Sequence, residues 1–256
     1  MSNTNKKRKD MIEITDYNLI KDFLLENRQF GLLGYIEYAS KYLIYVDNPQ
    51  NVKGVLCYFP RHKELTLFSR EKAFLDEVYQ RFVKGKKCWF SCTAIDIINY
   101  YKELCGLMVF SPCTTFYYTG KQYNPPPLPQ GLKLGKIKPA YYGCVVEHHQ
   151  YYGTLAEIRR CARKYPTVAA YEGDKMVCWC LIHDNGSIGP LFTLPEYRGR
   201  RLGVIVTCEI ITQMLKLGMR PYSFVVKGNT SSERLSPHTT FENAEMDICW
   251  AHKDNT

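Results

Sequence analysis

The sequence predicts a mixed α/β (α+β) protein built on a mixed, mostly antiparallel sheet flanked by helices. Three observations predict it. Short apolar runs of strand length recur at hairpin spacing in both halves: "YLIYVD", "GVLCYFP" and "ELTLFS" early, "TVAAYEG", "KMVCWCLIH" and "GSIGPLFTL" late. Between them lie longer segments with apolar residues at helical intervals. The chain has 256 residues, 45% of them hydrophobic, enough for one large core or two small ones.

Residues 1–10, with Lys6, Lys7, Arg8 and Lys9, read as a disordered, solvated basic tail. No apolar stretch follows to make a signal peptide, and Asp10, Glu13 and Asp16 argue against a transit peptide. Cytoplasm is the expected location, with mitochondria the alternative. After the first three strands, "KAFLDEVYQRFVKGK" reads as a helix with Phe74, Leu75, Val78 and Phe82 on its apolar side. "KCWFSCT" follows as a strand and "TAIDIINYYKEL" as a helix. The proline cluster "NPPPLP", Asn124 to Pro129, removes backbone donors and favours an extended linker. The expected organisation is thus an N-terminal α/β domain over 11–124, a linker over 125–130 and a C-terminal domain over 131–256.

In the second half "GLKLGKIK" reads as a strand and "PAYYGCVVEHHQYY" as a helix opened by a proline. "TLAEIRRCARKY" reads as a helix capped by Thr154 with Glu157 three residues on. Three strands separated by Gly173-Asp174 and Asn185-Gly186 then form an antiparallel meander. "LGVIVTCEIITQMLKLG" is apolar nearly all round, so it is a buried helix stopped by Gly218 and Pro221. "PYSFVVKG" is a strand, "SSERL" a helical turn, and a final extended pair ends at "DICWAH".

Composition removes several functions. The formal net charge of +9 invites a nucleic-acid partner, but no nucleic-acid motif accompanies it. No run approaches the roughly 20 apolar residues that span a bilayer. The 11 cysteines are scattered through apolar segments and read as reduced core thiols. Neither Cys88 with Cys92 nor Cys178 with Cys180 has a second pair at zinc spacing, so no metal is expected.

The chemistry-bearing stretch is "TLPEYRGRRLGVIVTCEI", Thr193 to Ile210. A strand running through small and basic residues straight into a buried helix exposes unpaired amides at the helix's positive end. Gly199 and Gly203 allow close approach, and Arg198, Arg200 and Arg201 add charge suited to phosphate. A second match follows in Asn229, Ser232, Leu235 and Phe241 after the next strand.

Strand, glycine-arginine loop, buried helix, strand and then Asn with a helical turn ending near Phe resembles the GNAT acyltransferases. Residues 165–198, "YPTVAAYEGDKMVCWCLIHDNGSIGPLFTLPEYR", narrow the resemblance to the glycine N-acyltransferase family. The clear match covers roughly residues 140 to 230, and it extends weakly through the front half as a degenerate GNAT-like unit without a cofactor loop. The resemblance implies a GNAT fold and acyl-CoA or acetyl-CoA as co-substrate. It implies transfer of the acyl group to the amine of glycine or another small amino acid. Phe192, Thr193, Leu194, Arg198, Gly199, Arg200, Arg201, Leu202, Gly203, Val204, Asn229 and Ser232 are the implied cofactor-binding positions. A backbone N–H near Phe192 to Leu194 is expected to meet the developing oxyanion. Glu196 is implied as general base and Ser236 stands at the position of the group that protonates the leaving thiolate.

Two departures bear on this. Arg201 occupies a position where the GNAT loop places glycine; if that residue is already helical, its side chain points outward and pyrophosphate binding survives. Ser236 replaces the tyrosine of many GNAT enzymes, although the glycine N-acyltransferase family also carries serine there. Glu172, His183, His148 and His149 compete as bases. Cys178, Cys180 and Cys208 lack a readable histidine and acid constellation, and Trp179 reads as a core or pocket-wall aromatic. The alternatives are a GNAT acetyltransferase acting on a polyamine, peptide or protein amine, and a non-catalytic GNAT-like binding module.

Overall fold

A computed structural model describes residues 11–39, 42–120, 125–149 and 153–254. The basic tail over 1–10 lies outside the described residues, as does the 150–152 end of the expected "PAYYGCVVEHHQYY" helix. The chain forms two compact units, one of residues up to Cys113 with those from Met246 onward, the other Thr114–Glu245. The expected boundary was the proline run over 125–130; the units instead divide within strands.

The first unit runs β1 (Ile12–Ile14), α1 (Asn18–Glu26), α2 (Phe30–Tyr38), β2 (Leu43–Val46), β3 (Gly54–Phe59), β4 (Glu64–Ser69), α3 (Lys72–Val78), β5 (Cys88–Ala94), α4 (Ile95–Cys105) and the start of β6 (Met108–Tyr118). A π-helical turn, Tyr79–Val83, prolongs α3. Strands β1 to β4 pair antiparallel in sequence order, and β5 joins β4 in parallel at Glu64↔Trp89 and Leu65↔Phe90. Val46, Leu56, Leu65, Phe90, Ile98 and Tyr101 form the centre of its core.

The second unit runs β7 (Leu132–Gly135), α5 (Tyr142–Glu147), α6 (Leu155–Lys164), β8 (Val168–Glu172), β9 (Lys175–Ile182), β10 (Ile188–Thr193), α7 (Leu202–Lys216), β11 (Tyr222–Val226), α8 (Thr230–Glu233) and the start of β12 (Phe241–Lys253). Short 3₁₀ turns precede α5 (Pro139–Tyr141), follow β10 (Pro195–Tyr197) and follow α8 (Ser236–His238). Strands β7 to β10 are antiparallel, as the meander predicts, and β11 is parallel to β10. The order of elements therefore repeats: a strand, two helices, a three-strand meander, a helix, a parallel strand, a helix and a last strand.

The expected final extended pair is one 13-residue strand, β12. Glu245, at φ 53°, and a register shift between Cys249 and Ala251 irregularise it without breaking it. A hairpin would need a reversal, and a bulge keeps the direction.

Two features position the site. Helix α6 carries the predicted capping box: Glu157 N–H donates to Thr154 Oγ1 at 3.2 Å and Thr154 N–H to Glu157 Oε2 at 2.7 Å. Helix α7 buries Leu202, Ile205, Val206, Cys208, Ile210, Ile211 and Met214 against β8, β9 and β10. At about 1.5–3 kcal/mol for each large apolar side chain, this burial fixes α7 against the sheet. Gly218, at φ +69°, and Met219, whose N–H donates to Met214 O at 2.9 Å, close the helix. Helices α5 and α6 cover the other face, where Trp179 and Leu181 pack with Val145 and Ile158.

Candidate active site

The site is assembled where β10 leaves its neighbours. Leu191, Phe192 and Thr193 stand opposite Cys180, Trp179 and Cys178 of β9, and the register shifts between Ile188 and Leu191. On the other side β10 meets β11 at the single pair Ile188↔Ser223. Leu194 N–H donates to Val177 O at 3.0 Å, so within the expected stretch Phe192 to Leu194 this amide is occupied. Ladder alternation then turns the amides of Leu191 and Thr193 away from β9, beyond the last pair with β11. Leu191 was not among the expected positions; the register supplies the signal that composition does not.

After β10 the chain makes the Pro195–Tyr197 turn and enters α7 with Arg201 as its N-cap residue. Arg201 is not helical: its φ of 59° and ψ of 17° place it in the left-handed region. This overturns the condition under which its side chain would simply continue an outward helical face. Here the position demands the conformation that glycine adopts freely, and the arginine adopts it at a cost of about 1 kcal/mol. Gly199, at φ +77°, meets the same demand with no Cβ. A Cβ at Gly203 would lie 3.7 Å from Leu191 Cδ2 and 3.8 Å from Leu235 Cδ1, ordinary contact. The first turn of α7 is thereby set beside β10 and the segment after α8.

No side chain caps α7 and no acidic residue lies in its first turn. Its first intrahelical bond is Ile205 N–H to Arg201 O at 3.2 Å, which leaves the amides of Leu202, Gly203 and Val204 without helical acceptors. Arg198, Arg200 and Arg201 are exposed, and among the described residues none pairs with a carboxylate. Arg198 Nε donates to Thr193 O at 3.2 Å, with its guanidinium 5.7 Å from the Phe192 ring centroid. Arg200 lies 4.9 Å over Tyr197. The result is an uncapped positive helix end ringed by exposed guanidinium groups, which attracts a polyanion.

Glu196 is exposed and bound to Lys175, with Nζ 2.9 Å from Oε1. That hydrogen bond holds its carboxyl below the ordinary carboxylate range, so at neutral pH it is charged and engaged by Lys175. Tyr197 is buried and donates a short hydrogen bond to Glu172. Asn229 caps α8, accepting from Ser232 N–H at 3.2 Å, so one of its polar groups is committed locally. Ser236 is buried in its 3₁₀ turn, its carbonyl accepting from Thr239 Oγ1 at 3.2 Å.

Phe192 and Leu194 face the α5 and α6 side, where His148 lies 4.4 Å from the Phe192 ring and 5.5 Å from Trp179. His149 and His183 meet edge to face at 5.6 Å. Burial, with His149 next to it, pushes His183 down to about 4. All 11 cysteines are free thiols. Burial raises Cys178 to about 12 and Cys208 to about 11, so neither offers a thiolate at neutral pH.

Residues 168–251 match the family model described as FR47-like protein. No curated protein matches the chain. Among solved structures it is similar to a Drosophila melanogaster protein, at 13% identity over 96% of this chain and 98% of that one, with a TM-score of 0.74. It is similar to a GCN5-related N-acetyltransferase from Sphaerobacter thermophilus, at 15% identity over 98% and 96%, with a TM-score of 0.61. A tandem GNAT protein from the clavulanic acid biosynthesis pathway aligns at 10% identity over 96% and 98%, with a TM-score of 0.52. The fold is that of the GCN5-related N-acetyltransferases. Among the described residues no helix is long and apolar enough to cross a membrane.

Proposed function

We propose that the second unit is an acyl-coenzyme A-dependent N-acyltransferase, and that its acceptor is the amine of glycine or another small amino acid. The observation that supports it best is the uncapped start of α7, with Arg198, Arg200 and Arg201 around it without carboxylate partners among the described residues and with the outward amides of β10 beside it. The amides of Leu202, Gly203 and Val204 would hold the pyrophosphate with the arginines. Coenzyme A would present its thioester carbonyl to the amide of Leu191 or Thr193. Nothing covalent is asked of the protein: the amine attacks the thioester directly and the thiolate departs.

The first unit, on this reading, is a GNAT-like unit without a cofactor loop, because Arg70 and Glu71 alone separate β4 from α3. The acceptor assignment rests on the resemblance of residues 165–198 to the glycine N-acyltransferases, and FR47-like residues 168–251 fall in the same region. The test is thermal unfolding with coenzyme A followed by an acceptor screen. Coenzyme A at 100 times its dissociation constant should stabilise the protein by about 2.7 kcal/mol. Thiol release with glycine and not with polyamines or peptides would support the amino-acid acceptor; the reverse pattern would replace it with another amine.

A further inference from the structure

The proton of the incoming amine needs an acceptor, and Glu196 is poorly placed to be one, exposed and tied to Lys175 at 2.9 Å. On the α5 and α6 face of β10 the situation differs. An ideal Cβ on Gly189 would lie 2.9 Å from His183 Nε2, so the imidazole occupies the space that the missing side chain leaves open. Gly189 stands at φ +151° between Ile188 and Leu191, where the β9/β10 register shifts and where pairing with β11 ends. His183 therefore packs against β10 two residues before Leu191, the first of the residues whose amides turn away from β9.

The ring is held there by its turn. His183 N–H donates to Ser187 O and Gly186 N–H to His183 O, both at 2.8 Å. Ser187 N–H bonds Asn185 Oδ1 at 3.1 Å, Tyr165 OH bonds Asp184 O at 3.1 Å, and Tyr222 OH bonds Asn185 O. Arg160 Nε bonds Asp184 Oδ2 at 2.8 Å. Three side chains from α7's flanking strand, the α6 end and α6 itself thus pin a five-residue turn spanning His183 to Ser187.

Resting on the N-acyltransferase reading, we propose that His183 is the catalytic proton acceptor, with His149 the next group in line. In the tautomer protonated at Nδ1, Nε2 is free to accept. The amine nitrogen forms the C–N bond to the thioester carbonyl carbon, its surplus proton passes to His183 Nε2, and the C–S bond breaks. Coenzyme A leaves as thiolate and takes a proton from solvent, while His183 returns its proton by way of His149. The charged and titratable groups around His183 are His149 at the end of α5, Glu157 and Arg160 on α6, and Asp184 in its own turn; the facing segment of β10, Ile188–Thr193, has none. Burial lowers both imidazoles, so both are neutral at pH 7 and able to accept; at about 4 His183 binds a proton weakly and passes it on rather than storing it.

The experiment is steady-state thiol release by the full chain, with acyl-CoA donors crossed against amino acids and simple amines, in wild type, His183→Gln, His149→Gln and Glu196→Gln. His183→Gln should lower kcat about 100-fold or more while KM for acyl-CoA and the coenzyme A-induced melting shift stay within twofold. Imidazole added to His183→Ala should restore part of the lost kcat, which a packing role would not allow. His149→Gln should lose less than His183→Gln, and Glu196→Gln less than tenfold. Wild-type kcat in His183→Gln, or no rescue of an inactive, folded His183→Ala, would overturn the proton-acceptor role and leave the N-acyltransferase reading standing. No amine-dependent thiol release by wild type with any donor would overturn both.

Discussion

The two units pass from the third meander strand to the following helix in opposite ways. In the first, β4 reaches α3 through Arg70 and Glu71 alone, and Ser69 closes the junction by accepting Glu71 N–H at 3.0 Å and donating to Lys53 O at 2.9 Å. Glu71, which also pairs with Lys53, places an acid at the start of a seven-residue helix. In the second, residues 194–201 separate β10 from α7, the helix has 15 residues, and its start carries arginines and no cap. Neither helix start has a side-chain cap, but Glu71 stands at the start of α3 and arginines at that of α7, so the first repels an anion and the second attracts one. A longer junction with unpaired amides and cations is costly to leave bare, and a bound polyanion relieves that cost.

The largest effect that would break this contrast is charge reversal. Arg198→Glu with Arg200→Glu should weaken coenzyme A binding at least 100-fold by calorimetric titration, because charge-assisted bonds to phosphate are worth about 1.5–3 kcal/mol each. Arg70→Glu in the first unit should leave the affinity within twofold. Glycine to alanine exchange sharpens the contrast next. At Gly54 a Cβ would meet the Phe74 ring at 2.5 Å, so Gly54→Ala should cost about 1–3 kcal/mol in urea unfolding with coenzyme A affinity kept. Gly203→Ala, with its nearest neighbour at 3.7 Å, should change stability by under about 0.5 kcal/mol and act on coenzyme A binding alone. A gain comes from Arg201→Gly, which removes a left-handed arginine and should stabilise the protein by about 1 kcal/mol in the same urea titration.

Much of the second unit was legible because its signals are local. The capping box at Thr154, the turn residues between β8 and β9, and the apolar circumference of α7 each act within one element. In the first unit β1 is too short to show alternation, and α2 holds Gly31 and Gly34, poor helix formers that only tertiary burial keeps helical. The glycine and arginine loop was readable as an anion site because its residue types carry the chemistry. What was not readable depends on register and long-range approach. The amide of Leu191 becomes free only because β10 and β9 pair as they do, the Lys175–Glu196 bond joins the start of β9 to the turn after β10, and His183 meets Gly189 across a turn. Arg201 shows the same limit, since a residue type does not reveal that its backbone will be left-handed.

The most direct test of the central claim is thiol release from acyl-CoA by the wild-type chain, measured with and without glycine and other amines at neutral pH. The account predicts release that requires both the donor and an amine and that disappears in the Arg198→Glu, Arg200→Glu variant. Release that is absent with every donor, or that continues unchanged without an amine, would contradict it.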